Sequence, residues 1–129
     1  MFQVEGIDHV ALTVRDVEAS VAWYRNVLGL GRMHEDAWGN HPAVVGTGNT
    51  SVALFPAGRP SSSSTARTRG FRHLAFRVDA GNFAAARRSL EDAGVRYEFA
   101  DHGISESIYF ADPDGNEIEL TTYRAEHDP

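Results

Sequence analysis

Apolar and polar residues alternate over 7–14, placing His9, Ala11 and Thr13 on one face of a predicted strand and Val10, Leu12 and Val14 on the other. The period then lengthens. Val17, Val21, Tyr24 and Leu28 recur at helical spacing behind Asp16, which can cap the first orphan amides, and Gly29 suits a left-handed stop. Three short strands are expected near 30–35, 43–47 and 51–55, separated by Gly39-Asn40 and by the hairpin-like Gly48-Asn49. The first half therefore reads βαβββ. The stretch 56–70, with Ser61, Ser62, Ser63 and Ser64 at its centre, has no apolar periodicity and is expected to be a mobile linker.

After the linker the first pattern returns. Over 71–78, His73, Ala75 and Arg77 share one face and Leu74, Phe76 and Val78 the other, so that RHLAFRV at 72–78 parallels DHVALTV at 8–14. Each segment leads into a helix, and the two helices end at Gly29-Leu30 and Gly94-Val95. Strands near 96–100, 107–111 and 117–123 complete a second βαβββ unit, and 124–129 is a polar tail. Between the last two strands lies Asp112-Pro113-Asp114-Gly115-Asn116, where proline presets φ and glycine accepts positive φ. A hairpin symmetric about Asp114 would make Tyr109 and Glu119 cross-strand neighbours. The expected fold is α+β: two tandem βαβββ modules forming a curved mixed sheet, in one domain over 1–129. Module one covers about 5–56, the linker about 57–70 and module two about 71–123.

Composition narrows the function classes. A chain of 129 residues with 42% hydrophobic and 23% charged residues is ordinary for one globular domain. A net charge of −6 and the lack of a basic cluster argue against a nucleic-acid or anionic-membrane surface. A small-molecule partner fits better. With no cysteine, any metal must be held by histidine, carboxylate or carbonyl oxygen. There is no basic stretch followed by an apolar run at the start, and nothing approaches the ~20 apolar residues of a spanning helix, so a cytoplasmic protein is expected.

His9 and His73 hold matching places in the two repeats, on the faces opposite the apolar stripes. A late carboxylate in the second repeat would complete a set of two histidines and one carboxylate, which leaves neighbouring coordination positions open and suits non-haem Fe(II). Glu119 is the preferred carboxylate. Glu117 shares its face and competes, but adjoins the turn. Each of these residues taken singly has a bland reading as a hydrogen-bonded strand histidine or a solvated acid.

These features together resemble the vicinal oxygen chelate superfamily: the paired units opening on DHVALTV and RHLAFRV, the helix ending AWYRNVLGL, and the closing DPDGNEIEL. That superfamily includes glyoxalase I, extradiol dioxygenases, fosfomycin-resistance thiol transferases, methylmalonyl-CoA epimerase and bleomycin-binding proteins. The resemblance implies a metal centre in which His9, His73 and Glu119 match the ligand positions. It implies a divalent ion, Fe(II) favoured, with Mn, Ni, Co or Zn as alternatives, and a homodimer. Glyoxalase I and the epimerase use a fourth ligand late in the first repeat, where this chain reads Ser51-Val52-Ala53-Leu54-Phe55 and offers no donor. His102-Gly103, Ser105, Tyr109 and DPDGNEIE look like the extradiol dioxygenase signature, which implies acid-base work for His102 and a substrate contact for Tyr109. The larger ring-cleaving enzymes also carry a histidine near the end of the first repeat, and 51–70 has none. His34 and His41, around Trp38, are read as surface residues. The reading is thus a dioxygenase-like metalloenzyme for a catechol-like chelating substrate. A redox-neutral glyoxalase or thiol transferase is the alternative, and a drug-sequestering protein is the rival of another class.

Overall fold

A computed structural model of the chain describes residue 3 and residues 7–40, 42–57 and 71–127. The chain falls into two compact units. The first contains β1 (Val10–Val14), α1 (Val17–Leu28), β2 (Gly31–Met33), the one-turn α2 (Glu35–Trp38), β3 (Ala43–Thr47) and β4 (Thr50–Pro56). The second contains β5 (Leu74–Arg77), α3 (Ala80–Asp92), β6 (Glu98–Asp101), β7 (Ser105–Ala111), β8 (Glu117–Tyr123) and a 3₁₀ turn (Ala125–His127). Each unit has one four-stranded mixed sheet, ordered β1-β4-β3-β2 and β5-β8-β7-β6. The first and last strands of each module run parallel and the other pairs antiparallel. This is the α+β architecture of paired βαβββ modules.

The helices start and stop where their sequence directs. The Asp16 carboxylate accepts from the Ala19 amide at 3.0 Å, and Gly29, at φ 69°, closes α1 with its amide on the Arg25 carbonyl. In the second module Asp79 caps α3 through the Asn82 amide at 2.8 Å. Val21 and Tyr24 of α1 are buried together with Leu12, Val14, Val52 and Leu54. In the second unit Phe83 and Leu90 of α3 are buried, as are Ile108, Phe110, Ile118 and Leu120. With each sheet's apolar face turned to its helix, the opposite face is left for polar groups.

Several boundaries differ from the sequence reading. β1 starts at Val10, so His9 stands just before the strand, as His73 stands just before β5. β7 starts at Ser105 because the His102 amide bonds the Ser105 carbonyl at 2.8 Å and closes a tighter loop than expected. The turn α2 replaces part of an expected strand and loop. Pro56, read as linker, ends β4, while 58–70 and His41 lie outside the described residues. No helix among the described residues is long and apolar enough to cross a membrane.

Candidate metal centre

The site grows from the hairpin of β7 and β8. Its turn is fixed by the buried Asp112 carboxylate, which accepts from the amides of Asp114 and Asn116 and from the Asn116 side chain at 2.8–2.9 Å. That turn sets the register, which puts Tyr109 opposite Glu119 and Ser107 opposite Thr121. Period-two alternation then sends Ser107, Tyr109, Glu117, Glu119 and Thr121 to one face, while Ile118 and Leu120 enter the core.

Glu119 is 8% exposed, unusual for a carboxylate on a sheet, and both its oxygens are engaged. Ser107 Oγ donates to Oε2 at 2.6 Å, and His73 Nε2 lies 2.9 Å from Oε1. The serine hydroxyl, itself fully buried, fixes the carboxylate's orientation. Glu117 is half exposed, and its Oε1 lies 3.6 Å from His73 Nδ1. His73 therefore stands between two carboxylates, one facing each ring nitrogen.

Tyr109 joins this group to the neighbouring loop. Its hydroxyl is 2.9 Å from His102 Nε2, and its ring meets the His102 and His73 rings edge-on at 6.2 and 5.9 Å. Burial first, and then the Glu119 carboxylate, push the phenol above its ordinary value of 10.0. At neutral pH it is a protonated donor. The loop carrying His102 is tied down by Arg124, whose Nε donates to the Gly103 carbonyl at 2.5 Å and whose Nη2 reaches Asp101 at 3.3 Å. The Gly103 amide, followed by the Arg124 guanidinium, holds the Asp101 carboxyl below its usual range.

In the first unit His9 Nδ1 lies 2.9 Å from the Asp8 carboxylate, and the imidazole is half exposed. Both histidines thus have a carboxylate on the Nδ1 side. The internal registers also define which residues correspond. Ala53 pairs with Ala11 and Glu119 with Ala75, and these alanines follow His9 and His73 at the same spacing, so Ala53 holds the place of Glu119. By the same count Val44, opposite Ala53, holds the place of Tyr109.

The structure brings His73, Glu119, Tyr109 and His102 together on one face and places His9 at the matching position of the other module. Among the described residues no three histidine, aspartate or glutamate side chains cluster as a ready cage. The pair within the second module nonetheless fits a metal edge. Two donors each ~2.1 Å from an ion and at right angles stand ~3.0 Å apart, close to the His73–Glu119 separation. Ser107 was not singled out from the sequence. Its parity with Tyr109 on a strand facing an acid was the available signal.

A family model, the Glyoxalase/Bleomycin resistance protein/Dioxygenase superfamily, matches residues 6–120. The chain is 32% identical over 119 residues to a biphenyl-2,3-diol 1,2-dioxygenase of Rhodococcus globerulus, a match covering 87% of this chain and 60% of that relative. The chain thus spans well under the whole length of that enzyme. It is 31% identical over 121 residues to the glutathione transferase FosA of Serratia marcescens, covering 91% of this chain and 80% of the relative. Among solved structures, a glyoxalase/dioxygenase of Nostoc punctiforme superposes with a TM-score of 0.74 at 25% identity, covering 93% of this chain and 92% of that one.

Proposed function

The chain belongs to the glyoxalase/bleomycin resistance protein/dioxygenase superfamily, and on that premise we propose that it is a mononuclear metalloenzyme acting on a small substrate that chelates the ion through adjacent oxygens. His73 and Glu119 would hold the ion with His9, which is included for its place in the repeat. The observation that carries the proposal is the buried Glu119 carboxylate, engaged by His73 at one oxygen and by Ser107 at the other. A carboxylate is costly to bury, and a metal ligand is a reason to keep it there. When bound, an Fe(II) ion would supply redox capacity and Lewis acidity.

The remaining steps belong to the protein's own groups. Ser107 keeps one carboxylate oxygen occupied so that the other points toward His73. Asp8 and Glu117, beside the Nδ1 atoms, leave the Nε2 atoms of His9 and His73 as ligating atoms. Tyr109, protonated at neutral pH, donates a hydrogen bond to a substrate oxygen. His102, at hydrogen-bond distance from that hydroxyl, takes up or returns the proton as the substrate's charge changes. Ring-cleaving oxygenation of a catechol-like diol would use the hydrogen bond from Tyr109 and the proton transfer by His102 beside such an ion.

The second reading is redox-neutral transfer of a thiol, favoured by the match to the transferase along most of that relative's length. Oxygen uptake by Fe(II)-loaded protein with a panel of catechols separates the two. The oxygenase reading expects uptake, with kcat in His102→Ala lowered by about 10²-fold or more. Glutathione consumption in the presence of an electrophilic acceptor such as an epoxide, whose ring opens as the C–S bond forms, with no uptake for any catechol, would replace it by the transferase reading. The same proposal includes a homodimer in the cytoplasm, and sedimentation velocity showing a monomer at micromolar concentration would remove the dimer.

A further inference from the structure

Three of the large apolar side chains left exposed among the described residues line one cleft of the first module: Ile7 at 81%, Trp38 at 50% and Phe55 at 41%. The cleft measures about 880 Å³, within the span of small-molecule sites, and His34, Val44 and Ala53 also line it. Exposed aromatics gathered in one concavity mark a binding surface more than scattered ones do.

The wall is built, not incidental. Trp38 rides on α2, and the residue just before α2 is His34, whose φ of 58° makes it the one non-glycine residue with positive φ among those described. That conformation is disfavoured for a side-chain-bearing residue and calls for outside support. Arg32 supplies it from β2, donating to the Gly39 carbonyl at 3.2 Å and to the Asn40 side chain, and reaching Glu35 at 3.4 Å. The bend also turns the His34 ring against Trp38, with centroids 4.9 Å apart. Opposite, Ala53 and Phe55 project from β4 on the face where the second module carries Glu119 and Thr121. Val44 stands where that module has Tyr109. At these two positions the carboxylate and the phenol of the second module have apolar counterparts, while His9 and His34 also line the cleft.

Charge selects the occupant. Among the described residues no arginine lines the cleft, and the one carboxylate that does, Asp8, is engaged with His9. An anion there would meet the Asp8 carboxylate and, at the end formed by Trp38, Val44, Ala53 and Phe55, would lose hydration to apolar side chains. We propose that this cleft binds a neutral aromatic group, gripped between Trp38 and Phe55. The proposal rests on the metalloenzyme reading only in taking that group to be part of the substrate.

The test uses metal-free full-length protein carrying Trp23→Phe, which leaves Trp38 as the one tryptophan. Three probes share a bicyclic ten-carbon skeleton: 2-naphthol, its saturated analogue decahydro-2-naphthol, and naphthalene-2-sulfonate. The expected result is quenching of Trp38 by 2-naphthol, with calorimetry showing it to bind more tightly than either of the others. Trp38→Ala weakens 2-naphthol by about two- to tenfold and Trp38→Phe restores most of the loss. Undetectable 2-naphthol binding, tighter sulfonate binding, or unchanged affinity in Trp38→Ala would overturn the proposal. Because no metal or turnover is involved, a failed oxygen-uptake assay sinks the oxygenase reading without touching this result, and the converse also holds.

Discussion

Glu119→Gln separates what the buried carboxylate does for the fold from what it does for a metal. Glutamine keeps the shape, its carbonyl can accept from Ser107 Oγ, and its amide can donate to His73 Nε2. Both contacts survive while the charge goes. Since an amide is cheaper to bury than a carboxylate, the metal-free variant should match the parent within about 1 kcal/mol, with any difference favouring glutamine. Glu119→Ala leaves the buried Ser107 hydroxyl without its acceptor and opens a void, and should lose about 2–4 kcal/mol. For metal the ordering differs. Under the proposed function both variants lose a direct ligand, so both should weaken binding by more than the about 10–100-fold typical of an outer partner. Urea unfolding of metal-free protein gives the first quantity and anaerobic chelator competition the second. Metal affinity within about threefold of the parent in Glu119→Gln would refute the ligand assignment. A loss of more than about 2 kcal/mol in that variant would mean that the carboxylate is kept for stability.

The Tyr109 phenol should titrate above 10.0 in metal-free protein, read from its ring-carbon NMR shift and assigned with Tyr109→Phe. Because the folded value is raised, its contribution to stability is present below the ordinary value and is lost as pH rises through the folded one, and Tyr109→Phe should flatten that alkaline loss. Asp112→Ala removes the acceptor of three hydrogen bonds in the β7–β8 turn and should lower stability by about 2–4 kcal/mol in urea, with Asp112→Asn recovering part of it. Ala53→Glu places a carboxylate at the position corresponding to Glu119; it should destabilise the metal-free protein and tighten metal binding by tenfold or more in chelator competition. A folded Ala53→Glu with the parent's metal affinity would count against His9 as a ligand.

Local chemistry made much of this legible in the sequence. Asp16 and Gly29 act within a few residues of their own positions, so the ends of α1 can be read from the residues themselves. The symmetry of the DPDGN turn about Asp114 fixed the pairing of Tyr109 with Glu119, because register in a short hairpin follows its turn. What escaped depends on contacts distant in sequence. α2 is a single turn without periodicity, held by Arg32 from β2 and by Asn40, whose side chain also donates to Glu18 of α1 at 2.7 Å. His34, read as a surface residue, is exposed yet lines the cleft with Trp38, which no linear pattern signals. Glu117 was read as exposed and it is, but its position beside His73 Nδ1 follows from side-chain direction on β8 and not from spacing.

The two modules share a backbone plan and diverge at the positions that bear on chemistry. His9 corresponds to His73, while Glu119 and Tyr109 correspond to Ala53 and Val44. A symmetric pair would carry two histidines and two carboxylates, filling four positions of a six-coordinate ion and crowding the bidentate substrate and a further reactant. With alanine at the position that matches Glu119, the first module offers no carboxylate there, and Ala53 lines the cleft instead. Under the proposed function these are one adaptation: the module that gives up its acid gains the surface that recognises the substrate's ring. The module that keeps its acid also keeps the tyrosine and the neighbouring histidine that manage protons. Ligand count and the shape of the cleft would then be coupled through Ala53.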